Sequence, residues 1–174
     1  MANQGRILYL QNDSGAQTRL ERAVALEPKM IAARLTLGSL YIDNRRWDSA
    51  LEILEPALEL EPNNPELLNS LGITYRGLGK PEESLGFYQK ALEAEPEDPS
   101  PYLNMAVIYA EHLQKYEEAF QSIQSYLDNG GKEKSIAAQW KKDFEESKAE
   151  IDKAIAIQKK REAILKKKVE DSAS

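Results

Sequence analysis

The chain has 174 residues, of which 41% are hydrophobic and 30% are charged, and it contains no cysteine. This composition predicts one soluble, helix-rich domain of the cytoplasm or of a bacterial periplasm. It excludes disulfides and thiolate metal sites, and it offers no apolar run of the roughly 18 residues that a membrane-spanning helix needs. The net charge of -6 is uneven, because residues 1–133 carry 12 Lys and Arg against 21 Asp and Glu whereas residues 134–174 carry 11 against 8; such an acidic body disfavours nucleic acid as a partner.

Residues 1–30 resemble the second half of a unit that recurs every 34 residues along the chain. Counting back 34 positions from Pro62 reaches Pro28, and Ala57 maps in the same way onto Ala23. The pattern predicts a helix over residues 13–27, with Asn12, Asp13 or Ser14 as its N-cap. Only the end of a preceding helix, near residues 4–11, remains. The chain is therefore either a fragment of a longer array or a protein with an abbreviated N-terminal cap.

Two complete units follow, at residues 31–64 and 65–98. In the second, apolar and small residues lie on one face of a first helix, Gly77, Gly79 and Pro81 interrupt it, and a second helix ends at Pro96. The first unit predicts helices over residues 31–43 and 47–61. Its Trp47 is expected to wedge between the two helices rather than to bind a partner. The matching positions of both units are Leu37, Gly38, Tyr41, Ala50, Leu54, Ala57 and Pro62, then Leu71, Gly72, Tyr75, Ser84, Tyr88, Ala91 and Pro96.

A third unit occupies residues 99–132, with predicted helices over residues 100–113 and 116–128. One additional residue in its turn shifts Ala119, Ile123 and Tyr126 along by one position. Asn129-Gly130-Gly131 replaces the terminal proline, and a glycine there supplies a left-handed C-cap.

These three units resemble the tetratricopeptide repeat, whose 34-residue unit carries W-x₂-L-G-x₂-Y, then A-x₃-F, then A and P. The resemblance implies an all-α, right-handed superhelical array of antiparallel helix pairs, with residues 1–30 as a partial or capping repeat. It also implies a non-enzymatic scaffold that binds a peptide or an amphipathic helix of a protein partner in its concave groove, within a larger assembly. The groove residues that it implies are Leu35, Ser39, Ile42, Glu66, Asn69, Ile73, Arg76, Ser100, Leu103 and Val107, flanked by Ala32 and Ala110.

Family members that hold a C-terminal carboxylate use a Lys/Asn/Asn/Lys/Arg set on the same helices. Here the corresponding positions hold Leu35, Ser39, Ser70, Ser100 and Asn104, so only the last is recognisable. Without the cations, a carboxylate clamp is disfavoured. An apolar or amphipathic guest is expected instead.

Residues 133–168 contain no Gly or Pro and predict one long C-terminal capping helix that solvates the end of the array, followed by a frayed tail at residues 169–174. Lys141 occupies the position of the repeat glycine, which predicts that no second helix folds back. The apolar stripe of Trp140, Phe144, Ile151 and Ile155 continues past the body. It raises an alternative function, a structural module that forms homo-oligomers or docks a partner through this helix. The simplest interpretation is that its basic end is only solvated, and a contact with a membrane surface or with nucleic acid is the third.

The residues offer no catalytic set and no cofactor site, so the chain is not expected to be an enzyme. The single histidine, His112, falls at a helix end, and Gly77 and Gly79 follow no strand that would make them a phosphate loop. The acidic run at residues 93–98 lacks the ligand spacing of a calcium loop, so a solvated turn is expected.

Overall fold

The computed structural model describes residues 15–132 and 134–172, without the side chains of residues 134, 136, 151, 154, 155 and 163–172. The described residues form eight α-helices and no strand, as the all-α prediction required. The predicted helix remnant at residues 4–11 and the three predicted N-cap residues lie outside the described residues. The helices are α1 (Ala16–Leu26), α2 (Ile31–Asp43), α3 (Trp47–Leu54), α4 (Pro65–Gly77), α5 (Pro81–Ala94), α6 (Pro99–Val107), α7 (Tyr116–Asp128) and α8 (Lys134–Ser172).

The helices pack in sequential pairs: α2 with α3, α4 with α5, and α6 with α7. The first helices of the pairs also contact one another, α2 with α4 and α4 with α6. They therefore lie side by side and form one face of the array. Asn64 and Asp98 fix two of their starts, because their side chains accept hydrogen bonds from the N–H groups of Leu67 (3.0 Å) and Ser100 (2.9 Å).

Glycine permits the closest contact within each of the first two pairs. A Cβ on Gly38 would lie 2.5 Å from Leu54, and one on Gly72 would overlap the ring of Tyr88. The Ser84 hydroxyl also donates to the Gly72 carbonyl oxygen at 2.5 Å. The repeat glycines are thus required by packing, since a side chain would push the two helices apart.

The same hydrogen bond closes each turn between paired helices. The carbonyl oxygen of a tyrosine near the end of the first helix accepts the N–H of the residue that precedes the second. The pairs are Tyr41–Arg46 (2.8 Å), Tyr75–Lys80 (3.0 Å) and Tyr109–Lys115 (2.7 Å). The residue before each donor is left-handed: Arg45 (φ 55°), Gly79 (φ 72°) and Gln114 (φ 53°). Gly130 (φ 80°) has the left-handed conformation predicted for the C-cap of α7.

Two predicted helices differ from those observed. The helix predicted over residues 47–61 ends as α-helix at Leu54 and continues as a 3₁₀ turn over Glu55–Glu59, because Pro56 has no N–H to donate. The additional residue of the third unit was assigned to the turn, which is wrong. It is accommodated in the helix, where α6 continues as a π turn over Ile108–His112 and the Leu113 N–H bonds the Ile108 carbonyl oxygen at 3.1 Å.

The closing helix α8 is uninterrupted and packs on α7. Ala137, Trp140 and Phe144 join a core cluster of the third pair, while the ammonium group of Lys141 bonds the Gln124 amide oxygen (3.0 Å). Residues 169–172, which belong to the predicted frayed tail, are part of this helix. Every described side chain from Lys148 to Glu162 is exposed, and beyond Lys148, which pairs with Glu117 of α7, α8 extends away from the body. The predicted stripe residues Ile151 and Ile155 have side chains outside the description.

Candidate functional site: the face of the first helices

The ten predicted groove residues lie on α2, α4 and α6, the three first helices that contact one another. They differ in how far their side chains are exposed to solvent. Glu66 and Ser100 are exposed, and Leu35 is buried. The other seven are half-buried, as expected for a surface that is part of the fold and still open to a guest: Ser39, Ile42, Asn69, Ile73, Arg76, Leu103 and Val107.

Three of the predicted apolar residues mainly serve packing. Leu35 is 7% exposed and belongs to the core of the first two pairs, and Ile42 packs against the same core. Leu103 packs against the cluster shared with α8. Ile73 and Val107 are half-buried and belong to neither of these two clusters, so they are the remaining apolar residues of the predicted set.

An asparagine pair links α4 to α6 beside these residues. The Asn104 side-chain NH₂ donates to the Asn69 side-chain oxygen at 3.3 Å, and both residues are half-buried. One donor group remains on Asn69 and one acceptor on Asn104, with no further partner among the described residues. A peptide unit presents one N–H and one C=O, so the pair offers complementary hydrogen-bonding groups to an extended backbone. The sequence prediction included Asn69 but left Asn104 out of the groove.

A small cleft of about 240 Å³ opens at the start of α4, where Ala32 and Leu35 of α2 meet Glu66. Glu66 lies in the first turn of α4 and Arg76 in its last turn. Neither side chain forms an ion pair with a described residue. Among the ten predicted residues the face therefore carries one anion and one cation, at opposite ends of its central helix.

The perturbed tyrosines are structural rather than reactive. Burial raises the pKa of Tyr88 to about 12, and burial, with a hydrogen bond to Glu21, raises the pKa of Tyr41 to about 12. His112 is exposed at the end of the π turn. Among the described residues no group of three His, Asp or Glu side chains is placed to hold a metal ion.

No helix within residues 15–132 and 134–172 combines the length and the apolar character needed to cross a membrane.

Comparison with known proteins identifies the repeats. Three family models, each described as tetratricopeptide repeat, match residues 14–72, 65–98 and 87–121. No curated protein sequence matches the chain.

Solved structures share the fold at low identity. One described as the crystal structure of MamA protein has a TM-score of 0.73 at 18% identity, over 87% of this chain and 82% of that one. MamA from Desulfovibrio magneticus RS-1 gives a TM-score of 0.67 at 19% identity, over 74% and 72% of the two chains. A thermophilic TPR protein of Thermus thermophilus gives a TM-score of 0.67 at 20% identity, over 76% and 73%.

Proposed function

The chain is a tetratricopeptide repeat protein, a family that is typically non-catalytic, and we propose that it is a scaffold that binds an extended peptide or an amphipathic helix of a protein partner on the face of α2, α4 and α6. The observation that carries the proposal is the juxtaposition of free apolar side chains with the asparagine pair. Ile73 and Val107 receive apolar side chains of the guest, while Asn69 and Asn104 bind its backbone.

The chemistry of this face selects against acidic C-terminal tails. Arg76 is the one cation among the ten groove residues, and a carboxylate pair needs several positive groups. An apolar guest loses water-exposed surface at Ile73 and Val107, which contributes about 25 cal/mol for each Å² buried. The backbone contacts add orientation, since the free donor lies on Asn69 and the free acceptor on Asn104.

Peptides selected from a displayed random library by the full chain test this proposal. Ile73→Glu and Val107→Glu should each weaken binding of a selected peptide by about tenfold or more, because a burial loss of about 1.4 kcal/mol is tenfold in Kd. Titration calorimetry measures the change. The matched control is Leu60→Glu, since Leu60 is 42% exposed and lies outside the face. Equal Kd values for the wild type and both groove variants would contradict the proposal.

A second candidate function, self-association through α8, is supported by the exposure of every described side chain from Lys148 to Glu162. Beyond Lys148, which pairs with Glu117, no described side chain of this half of α8 is buried by the body, and most helical stability in proteins comes from tertiary packing. Sedimentation of the full chain against a chain that ends at Lys148 tests it. Monomers in both cases would rule this function out.

A further inference from the structure

A cleft of about 390 Å³ lies away from the groove, between the second helices of the second and third pairs. Glu93 of α5 and Glu118 of α7 stand on its two sides, and Tyr102, Met105 and Tyr109 of α6 and the π turn line it between them. Both tyrosines are half-buried. The cleft thus combines aromatic and thioether surface with two carboxylates.

Neither carboxylate is neutralised within the described part of the chain: no described Lys or Arg forms an ion pair with Glu93 or Glu118. The acidic turn that follows α5 adds Glu95 and Glu97, both exposed. The Tyr102 hydroxyl donates to the Pro96 carbonyl oxygen at 3.5 Å, which holds this turn beside the cleft. A cation over a tyrosine ring and between carboxylates gains from both interactions, so a Lys or Arg side chain fits this chemistry.

The chain itself carries an unpartnered cationic segment. Lys159, Lys160 and Arg161 are exposed on α8 and form no ion pair with a described residue. Because α8 is one uninterrupted helix that packs on α7 and extends away from the body, this segment cannot turn back into the cleft of its own chain. The charge balance of -9 over residues 1–133 and +3 over residues 134–174 favours contact between the body of one copy and the helix end of another.

The contact between α8 and α7 within one chain already uses the same chemistry. The Lys141 ammonium lies 4.7 Å from the centre of the Phe120 ring and bonds the Gln124 amide oxygen. Further along the same helix, Lys148 forms an ion pair with Glu117. Lysines of α8 thus pair with an aromatic ring, an amide and a carboxylate of α7, the groups that the cleft presents.

We propose that the cleft between α5, α6 and α7 binds the basic segment Lys159–Arg161 of α8 from a second copy of the chain. This inference rests on the second candidate function and names its receiving surface. The two surfaces differ, so the contact is head-to-tail: two copies close it reciprocally, or successive copies extend it into a filament. The concave face of α2, α4 and α6 stays free for its own guest.

Charge reversal and its rescue test the proposal in the full chain. Sedimentation velocity in low salt should detect self-association that weakens as salt rises, since the pairs lie at the surface. The Glu93→Lys, Glu118→Lys variant should associate about tenfold or more weakly, as should the variant that carries Lys159→Glu, Lys160→Glu and Arg161→Glu. A mixture of these two variants should associate again, because each then offers the charge that the other lacks.

The control variant, Glu27→Lys with Glu59→Lys, changes the net charge equally at exposed sites away from the cleft and should associate like the wild type. Association that is lost on truncation at Lys148 but unchanged by the cleft variant would overturn the cleft assignment and leave self-association through α8 standing. A full chain that stays monomeric in low salt overturns both. A chain that stays monomeric but binds a synthetic oligolysine peptide in the cleft also overturns both, since the occupant is then a basic segment of another protein.

Discussion

The buried hydroxyl of Tyr88 makes the sharpest prediction about what holds the array together. Tyr88 is fully buried against Gly72, and its hydroxyl has no hydrogen-bond partner within the described part of the chain. Against the larger effect of burial, the nearby Ser84 hydroxyl lowers the pKa of Tyr88, but it gives its own hydrogen to the Gly72 carbonyl oxygen and makes no hydrogen bond of good geometry with the Tyr88 hydroxyl. Burying an unpaired hydroxyl costs about 1–3 kcal/mol. Tyr88→Phe removes that cost and leaves the ring in place, so the free energy of unfolding at pH 7 should rise by about 1 kcal/mol.

The effect should grow at alkaline pH. Burial raises the pKa of Tyr88 from 10.0 to about 12 in the folded state, so above pH 10 the unfolded chain loses this proton first. The wild type therefore loses stability between pH 10 and 12, by up to about 2.7 kcal/mol at about 1.36 kcal/mol for each pKa unit. Below pH 10 both states keep the proton and the contribution is constant. The Phe variant lacks this loss, so its advantage over the wild type should increase through that window.

Urea unfolding followed by circular dichroism at pH 7 and at pH 10.5 measures both effects. Tyr41→Phe is the matched control, because the Tyr41 hydroxyl donates to Glu21 at 2.8 Å and its removal should destabilise the fold by about 1 kcal/mol. A loss of stability in the Tyr88 variant equal to that in the control would refute the reasoning, since it would mean that the Tyr88 hydroxyl is hydrogen-bonded.

Two further predictions concern backbone positions, and thermal unfolding checks both. Gly72→Val should destabilise the fold by about 2 kcal/mol or more, because the valine side chain would overlap the Tyr88 ring. The control is Gly86→Ala within a helix, where nothing lies within 4 Å of the added Cβ, and it should stabilise the fold by about 0.5–1 kcal/mol. Equal effects of the two substitutions would contradict the packing role of Gly72. Gln114→Gly should stabilise the fold by up to about 1 kcal/mol, because Gln114 has a left-handed backbone conformation (φ 53°) that favours glycine. Gly79→Ala should destabilise the fold by a similar amount, because Gly79 has φ 72°. A Gln114→Gly variant that is less stable than the wild type would contradict this.

The period of the sequence predicted the helix pairs because the fold depends on it directly. Gly72 recurs 34 positions after Gly38, and each packs against the second helix of its own pair. The glycine of the motif is therefore the residue that makes the contact between the helices. The single closing helix was also predicted, since the Lys141 side chain at the repeat glycine position is too large for close packing of a second helix.

The site was predictable only in part. Position within a repeat placed Leu35 and Ile73 alike on the groove, but burial depends on how the neighbouring pair packs, and Leu35 joined the core. The Asn69–Asn104 bond and the outer cleft form between successive pairs, so no pattern inside one repeat encodes them. The π turn could not be predicted either, because the length of the third unit shows that one residue is added but not where it is accommodated.

Amide and side-chain NMR shifts of the full chain, titrated with a library-selected peptide, test the central claim most directly. Binding on the first helices predicts the largest shifts on α2, α4 and α6, including the side-chain amides of Asn69 and Asn104. Shifts confined to α3, α5 and α7 would contradict a groove on the first helices.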